Sequence, residues 1–550
     1  MQKRKQSLPM KDSIFRAVKV ALSKCGFPSI DFFIERSQQG KHGHFATNVA
    51  LVLTKQLKRN PLEIAREITK NFGKIEGIEK IEIAPPGFIN FTLSETILQN
   101  EIHVIQQLGN EYGKLSTGDG KTCQVEFVSA NPTGPLTVGH GRGAALGDTI
   151  ARIMEWNGYS VEREYYFNNA GKQMRILGTS VYYRYLQQIG KDVEFPDECY
   201  QGDYIREIAS KIADQNGRKF EDQPENKIFQ DTAENKVFET IKISLRRIGI
   251  FHDSFFNENE LYEKGKIDDA LYGLKKSGYL YEKDGAIWFK ATEFGAEKDR
   301  VIVRSNGEPT YRLPDIAYHI EKINRNYDVI IDVFGADHSA TYPDVLAGLQ
   351  SLNLSTEHIR VAIHQFVTFT RDGQKVKMST RKAQFVTLDD LVDLVGSDAV
   401  RYFFLMRAMN SHLNFDLALA TKQSDENPVF YLQYAHARIS NIFLHAEAKN
   451  VPFNPECNLS HLTHAEELDL IFILSEFPEI IALCKRTLEP QSLCNYLNKL
   501  AAAFHKFYTE CKVITDNIPL SQARLLLCAA TKQVLSNGLT ILGISKPERM

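Results

Sequence analysis

Apolar positions recur at helical spacing near residues 12–25 and 46–58, and again from Pro61, whose fixed φ suits the first turn of a helix. Two strand-like runs follow, Ile81 to Ile83 and Phe88 to Phe91, split by the turn Pro85-Pro86-Gly87. The pattern changes at Gln124 to Val128, which reads as a strand leading into a Pro/Gly-rich loop, Ala130 to Gly139. From about His140 to Trp156 the residues Leu146, Ile150, Ile153 and Met154 share one helix face, and Asn157-Gly158 supplies the stop. Tyr159 to Phe167 reads as the next strand. Strand, helix, strand is a βαβ unit and predicts a parallel sheet. Residues from about 186 to 280 are more polar, with a charged stretch at 217–236, and read as an insertion. Strand-like runs resume at Ala286 to Lys290, Val301 to Arg304, Val329 to Phe334 and Arg360 to Val367. From Asn427 onward the spacing is helical almost throughout, as in Leu493, Leu497, Leu500, Phe504, Phe507 and Cys511, or Leu535, Leu539 and Leu542.

Composition narrows this little. A chain of 550 residues, 43% apolar and 24% charged, is an ordinary globular protein with room for about three to five domains. A formal charge of −2 neither requires nor excludes a nucleic-acid partner, because basic residues can be gathered in patches. Met1-Gln-Lys-Arg-Lys could open a signal peptide, but Arg16 and Lys19 interrupt the apolar stretch Ile14 to Leu22 and make it amphipathic. No continuous apolar run approaches the ~18 residues of a membrane span. None of the eight cysteines forms a CxxC pair, so no zinc or redox motif is visible, and scattered thiols fit a reducing cytoplasm.

The segment Ser129 to Gly143 carries the densest chemistry. A loop running into a helix start offers free backbone N–H groups and a partial positive charge, both of which favour phosphate. Gly139, Gly141 and Gly143 would let a ligand approach the backbone, and His140 can donate to a phosphate oxygen. The plain alternative is a tight turn with a surface histidine. A rival reading takes Gly139, Gly141 and Ala144 with Glu162 as the GxGxxA motif of a dinucleotide-binding oxidoreductase, although that motif should follow its strand directly. Further on, Arg371 to Thr380 contains a hairpin with Asp372-Gly373 at its tip. Its Lys375 and Lys377, with Arg381 and Lys382, are either cations serving a phosphate leaving group or a solvated charged turn. Gly335-Ala-Asp-His-Ser339 closes a strand, where ligands of open α/β sheets bind.

The string ANPTGPLTVGH resembles the HIGH-signature region of class I aminoacyl-tRNA synthetases in its arginine-specific, bacterial form. Gly141 to Asp148 and Tyr166-Phe-Asn-Asn-Ala-Gly171 are similar to that family too, and Lys377-Met-Ser-Thr380 resembles its KMSK loop. The resemblance implies ATP binding by Pro132, Gly134, Gly139, His140, Gly141, Asp337, His338, Met378 and Ser379. Catalysis would fall to Thr137, His140 and Lys377, with Lys375 or Lys382 assisting. Thr137 stands where the family has its first signature histidine, and Thr380 where it has the final lysine, which puts the full set of phosphate contacts in question. Glu126, Ser129, Asn131, Tyr311 and Asp315 match positions that hold the amino acid; a guanidinium needs at least one carboxylate, and Asp315 and Glu126 are the candidates. Singly, Asp315 also reads as a helix cap and Glu126 as a charge on a strand face. Tyr431, Tyr434 and Arg438 lie on one helix face, suited to stacking on unpaired bases, although a stripe of this kind is more often core. That stretch and Leu542 to Met550 resemble the family's anticodon-binding domain, and Gly43 to Ala50 its N-terminal domain, with His44 where aspartate is common.

The implied architecture is an α/β Rossmann-like catalytic core with a parallel sheet, an α+β N-terminal domain and an all-α C-terminal domain. Boundaries are expected at 1–115, 116–375 with the insertion, 376–425 for the KMSK-like loop and connecting segment, and 426–550. The implied reaction is ATP-dependent attachment of L-arginine to tRNA(Arg) through an arginyl-adenylate. ATP enters as substrate with Mg2+, no protein-bound metal is expected, and the protein is expected to act as a cytoplasmic monomer away from membranes. The alternative is a non-catalytic tRNA-binding relative.

Overall fold

The computed structural model describes residues 10–37, 43–371, 373–376 and 387–550. The first unit is a four-stranded antiparallel sheet in the order Ile34–Arg36, Phe45–Thr47, Phe88–Leu93, Ile78–Ala84, backed by helices Met10–Lys24, Val49–Leu57, Pro61–Lys70 and Glu95–Leu108. The two short strands were not anticipated. They are three residues each, below the length at which alternation carries a signal. His44 has a structural task here: its Nδ1 accepts the Leu93 N–H at 2.9 Å and its ring packs against Phe472 of the C-terminal unit.

The centre is a five-stranded, all-parallel sheet ordered Ile359–His364, Val329–Gly335, Thr122–Glu126, Ser160–Phe167, Ser254–Asn257. Thr122–Glu126 is both first in sequence and central, so the chain winds outward from it in two directions. The crevice at its carboxyl end is a topological switch point, where open α/β folds bind ligands. The polar span 186–280 is therefore not wholly an insertion, because it contributes the strand Ser254–Asn257 to this sheet. Part of it, with helix Gly171–Gln188, does form a separate apolar cluster through helices Asp203–Asn216 and Lys227–Arg247. The run Arg360 to Val367 is likewise two strands: Ile359–His364 ends the parallel sheet, and Val367–Arg371 joins a small sheet with Gln374–Lys375 and Leu413–Asp416.

One row of that central sheet is unusual. Asp332, Glu126 and Glu164 stand side by side on neighbouring strands, all essentially buried. Helix Arg312–Asn324 lies over them. His319 and Lys322, spaced three apart, and Arg325 at the helix end supply the neutralising charges.

Helices Leu388–Val395 and Ser397–Leu405 precede the last strand of the small sheet, and after it the chain is helical: Pro428–Ala448, Ala465–Leu474, Phe477–Thr487, Gln491–Glu510 and Ile518–Leu542. The last is long and apolar enough to cross a membrane, but most of it is buried within the bundle, which explains its composition.

Candidate active site

Everything of interest gathers at the carboxyl end of Thr122–Glu126. The chain leaves that strand through two residues with positive φ, Val128 at 71° and Ser129 at 45°. A β-branched residue in this region is strained, and such strain persists only where the surroundings enforce it. Here it turns Ser129 back: its Oγ donates to Glu126 at 2.8 Å and accepts the Tyr166 N–H at 3.2 Å. Asn131 accepts the Asn168 N–H and donates to Gln173, both at 2.9 Å, tying the loop to the Asn168-Asn-Ala-Gly171 turn. Pro132 is buried, and beside Gly134 the Tyr204 hydroxyl donates to the Thr133 carbonyl at 2.6 Å.

The loop ends at Thr137, the N-cap of helix Val138–Trp156. Eleven residues thus separate strand from helix, and the dinucleotide-motif reading fails because its glycines do not form the strand-to-helix turn. The three glycines also differ among themselves. Gly139 is exposed, and a Cβ there would meet the Thr137 hydroxyl at 3.7 Å, an ordinary contact, whereas a Cβ on Gly141 would meet Leu388 at 2.7 Å and one on Gly143 would meet His364 at 2.9 Å. Only Gly139 leaves backbone open to a ligand; Gly141 and Gly143 admit neighbouring side chains. His140 is partly buried, and burial lowers its pKa while the carboxylate of Asp337 opposes that shift. Asp337 and His338 occupy the short helix after Val329–Gly335, both well exposed, with the His338 ring stacked on Phe334. The field of Asp337 reaches His140 in the first turn of the signature helix.

Val367–Arg371 and Gln374–Lys375 form the anticipated hairpin, with Gly373 at φ 77° and Lys375 exposed. Lys377, Met378 and Ser379 lie outside the described residues, as does Asp372. The chain returns at Thr387, which bridges to Thr137, and the Leu388 N–H donates to the Leu136 carbonyl at 2.8 Å. Thr387 and Leu388, more than 200 residues beyond the first signature in sequence, are therefore tethered at the start of its helix.

Asp315 is not a helix cap: it sits in the first turn after Arg312, with its own N–H bonded to the Tyr311 carbonyl at 3.3 Å. Tyr311 precedes the helix and is 83% exposed. The Asp315 carboxylate has no hydrogen bond or ion pair among the described residues. Burial pushes its pKa up to about 6, and Glu258 and Glu126 add to the rise while His319 and His338 oppose it. Glu258 escaped the sequence reading. It accepts from the Tyr166 hydroxyl at 2.7 Å and from Asn168 at 2.8 Å, and burial raises its pKa as well. Glu126, by contrast, is closed off, with Lys322 at 2.5 Å and Ser129 on its other oxygen.

Arg142, two residues beyond His140, is fully buried. Its guanidinium donates to the carbonyls of Gln365 (2.5 Å), Ala408 (3.1 Å) and Ser411 (3.2 Å), and Met409 between them donates to Glu489 at 3.2 Å. One side chain joins the signature helix to the segments flanking the small sheet and, one bond further, to the helical unit. Farther along the same helix, Asp148 accepts from buried Arg401, which also donates to the Leu542 carbonyl.

In the helical unit, Tyr431, Tyr434 and Arg438 share a half-buried face with His505 and Tyr508. Arg438 donates to the Tyr434 hydroxyl at 2.6 Å and covers the Tyr434 and Tyr508 rings, while Tyr431 and Tyr434 pack on His505. The stripe is neither a sealed core nor a free surface: all three residues are half-buried and both tyrosine rings pack on His505.

Comparison with known proteins agrees along the whole chain. Residues 12–93 match the arginyl tRNA synthetase N terminal domain, 102–403 the class I (R) tRNA synthetase catalytic domain, and 432–550 the DALR anticodon binding domain. The arginine--tRNA ligase of Chlorobium limicola is 50% identical over 527 residues, 94% of this chain and 96% of that one. That of Desulfotalea psychrophila is 48% identical over 522 residues, 94% and 95%. The Thermus thermophilus arginyl-tRNA synthetase structure shares the fold, with a TM-score of 0.78 at 22% identity, covering 98% of this chain and all of that one. With a catalytic-domain match over more than half its length and relatives at this identity, the chain belongs to the arginyl-tRNA synthetases, a class I family.

Proposed function

We propose that the chain joins arginine to tRNA(Arg) in two steps at this crevice. The arginine carboxylate attacks the α-phosphorus of ATP. The bond to the bridging oxygen breaks, pyrophosphate leaves with its Mg2+, and arginyl-adenylate remains. A ribose hydroxyl at the tRNA 3′ end then attacks the activated carbonyl and expels AMP. The protein's share is placement and charge complementarity rather than covalent chemistry.

The observation that carries this reading is Asp315: a carboxylate with no hydrogen bond or ion pair among the described residues, beside Glu258, at the end of a sheet whose other buried carboxylates are all neutralised. A guanidinium, permanently charged and planar, suits that vacancy of charge. Tyr311 would cover it, and Asn131 and Ser129 would orient the α-amino and carboxylate end. The exposed Gly139 backbone, the His140 ring and the first helix turn would receive the ATP phosphates, with Pro132 and Gly134 shaping the loop and Asp337 and His338 on the ribose side. Lys377 would meet the leaving pyrophosphate, aided by Lys375 or Lys382. Tyr431, Tyr434 and Arg438 would stack on anticodon bases. All eight cysteines are unpaired, which supports a reducing cytoplasm, and we take the active form to be a monomer.

Arginine-dependent ATP–pyrophosphate exchange, measured with and without tRNA against all twenty amino acids, tests the reading. Exchange with arginine alone among them supports it; tRNA binding without exchange supports the non-catalytic alternative and overturns it.

A further inference from the structure

The threonine at the first signature position makes contacts that point to a different role from the histidine it replaces. Two groups of Thr137 converge on the His140 Nδ1: the backbone N–H, which donates at 3.2 Å, and the hydroxyl oxygen, also at 3.2 Å. A peptide N–H can only donate. The Nδ1 atom must therefore accept, and a ring nitrogen that accepts carries no proton. That leaves the single proton of a neutral imidazole on Nε2, at the far side of the ring. The Thr137 hydroxyl reinforces the choice, since it can turn its own proton toward the same lone pair.

We propose that Thr137 is a positioning residue: it holds His140 as the neutral, Nε2-protonated tautomer so that one directed N–H points into the phosphate crevice. The inference rests on the reading above for the ligand that this N–H meets, but the tautomer itself does not depend on that reading. The surroundings are consistent with it. Among the described residues, the charged and titratable groups whose fields couple to His140 are Asp337, across the crevice, and His364, from the neighbouring strand end. His364 is itself held neutral by burial, with a pKa near 4, so it adds no cation beside the ring. The N-cap geometry fixes the backbone: Thr137 has the extended ψ of 167° typical of a cap, and the Gly141 N–H closes on its carbonyl at 3.1 Å. The cap and the ring are thus locked by one residue. The chain has one imidazole at this signature rather than two, and the residue in the other position acts through it.

The test is 15N–1H correlation spectroscopy on the full-length protein with 15N-histidine, the His140 signals being assigned by their loss in His140→Asn. At neutral pH, His140 should show a protonated Nε2 and an unprotonated Nδ1. Thr137→Val keeps the shape and the backbone N–H and loses the hydroxyl, so the second tautomer or the imidazolium should appear beside the original form rather than replace it; Thr137→Ser should restore the original pattern alone. In the exchange assay Thr137→Val should lower kcat by about ten- to a hundredfold, the scale of a small misplacement of a reacting group, with little change in the KM for arginine. A cap of purely structural importance would lower the melting temperature of Thr137→Val without moving the tautomer. A wild-type His140 protonated at Nδ1, or a valine variant with unchanged spectrum and kcat, overturns the inference. Failure of the unmodified chain to catalyse exchange would instead overturn the functional reading and leave the tautomer result standing.

Discussion

Two sets of carboxylates sit within one helix length of each other and are treated in opposite ways. Asp332 and Glu126 share Lys322, and Glu164 takes Arg325 and the Tyr318 hydroxyl. Burial alone would raise the pKa of Asp332, but Lys322 and His319 hold it well below the usual carboxylate range. Asp315 and Glu258 have no ion pair among the described residues, and burial pushes both upward. The same helix carries both arrangements: Asp315, His319 and Lys322 fall on one face at spacings of four and three. Charges that complete the fold are matched from within. The open pair has no ion-pair partner among the described residues and is where the proposed guanidinium would sit, and the difference separates scaffold from site more sharply than burial does.

The contrast can be broken from the closed side. Lys322→Ala strands two buried carboxylates and should cost about 3–5 kcal/mol of stability, seen as a lower denaturant midpoint with little change in slope. The open side responds in the opposite sense. Asp315→Asn should lower kcat/KM for arginine by roughly 10²- to 10³-fold, the scale of truncating one partner of a desolvated charge pair. The unliganded protein should nonetheless become more stable at pH 7, because an unpaired carboxylate has gone. Absence of that opposite sign would remove the distinction.

The pH dependence sharpens the point. The Asp315 pKa in the folded chain, about 6, lies above that of an unfolded aspartate, about 3.9. A raised folded-state pKa contributes stability that is complete below the unfolded value and lost as pH rises through the folded one. Between about pH 4 and 6 the wild type should therefore lose stability relative to Asp315→Asn, as a melting series on both would record. Arginine requires the ionised form, so its KM should rise by about tenfold per pH unit below 6 in wild type. The smallest effect is expected at Glu258, whose oxygens already accept from Tyr166 and Asn168. Glu258→Gln should raise the arginine KM by roughly tenfold or less, within the range of one charge-assisted hydrogen bond.

Much of this site was legible in the sequence. The loop from Ser129 to Gly139, the helix that follows and its stop at Asn157-Gly158 carry strong local signals: prolines, glycines and an apolar stripe of period 3.6. The helical character of the chain after Asn427 was equally plain. What escaped was long-range. Ser254–Asn257 is four residues of edge strand within a polar stretch, recognisable only through its pairing with Ser160–Phe167. Glu258 follows it directly and went unnoticed for the same reason. Arg360 to Val367 looked continuous because apolar spacing does not register a change of sheet at Gln365. Gly141 and Gly143 looked like ligand-facing glycines because nothing local distinguishes room for a phosphate from room for Leu388 or His364. Asp315 resembled a cap because it follows a proline, although the helix had begun three residues earlier.

The buried guanidinium of Arg142 has a consequence for how the protein comes into being. Its three acceptors lie 223, 266 and 269 residues downstream, and Asp148 on the same helix waits for Arg401, which also needs Leu542, at the far end of the last helix, among its acceptors. During synthesis from the N-terminus, the signature helix emerges long before anything that can seat it. The ribosome must deliver nearly the entire polypeptide before the nucleotide crevice takes its final shape, so a half-made chain has no finished machinery with which to consume ATP.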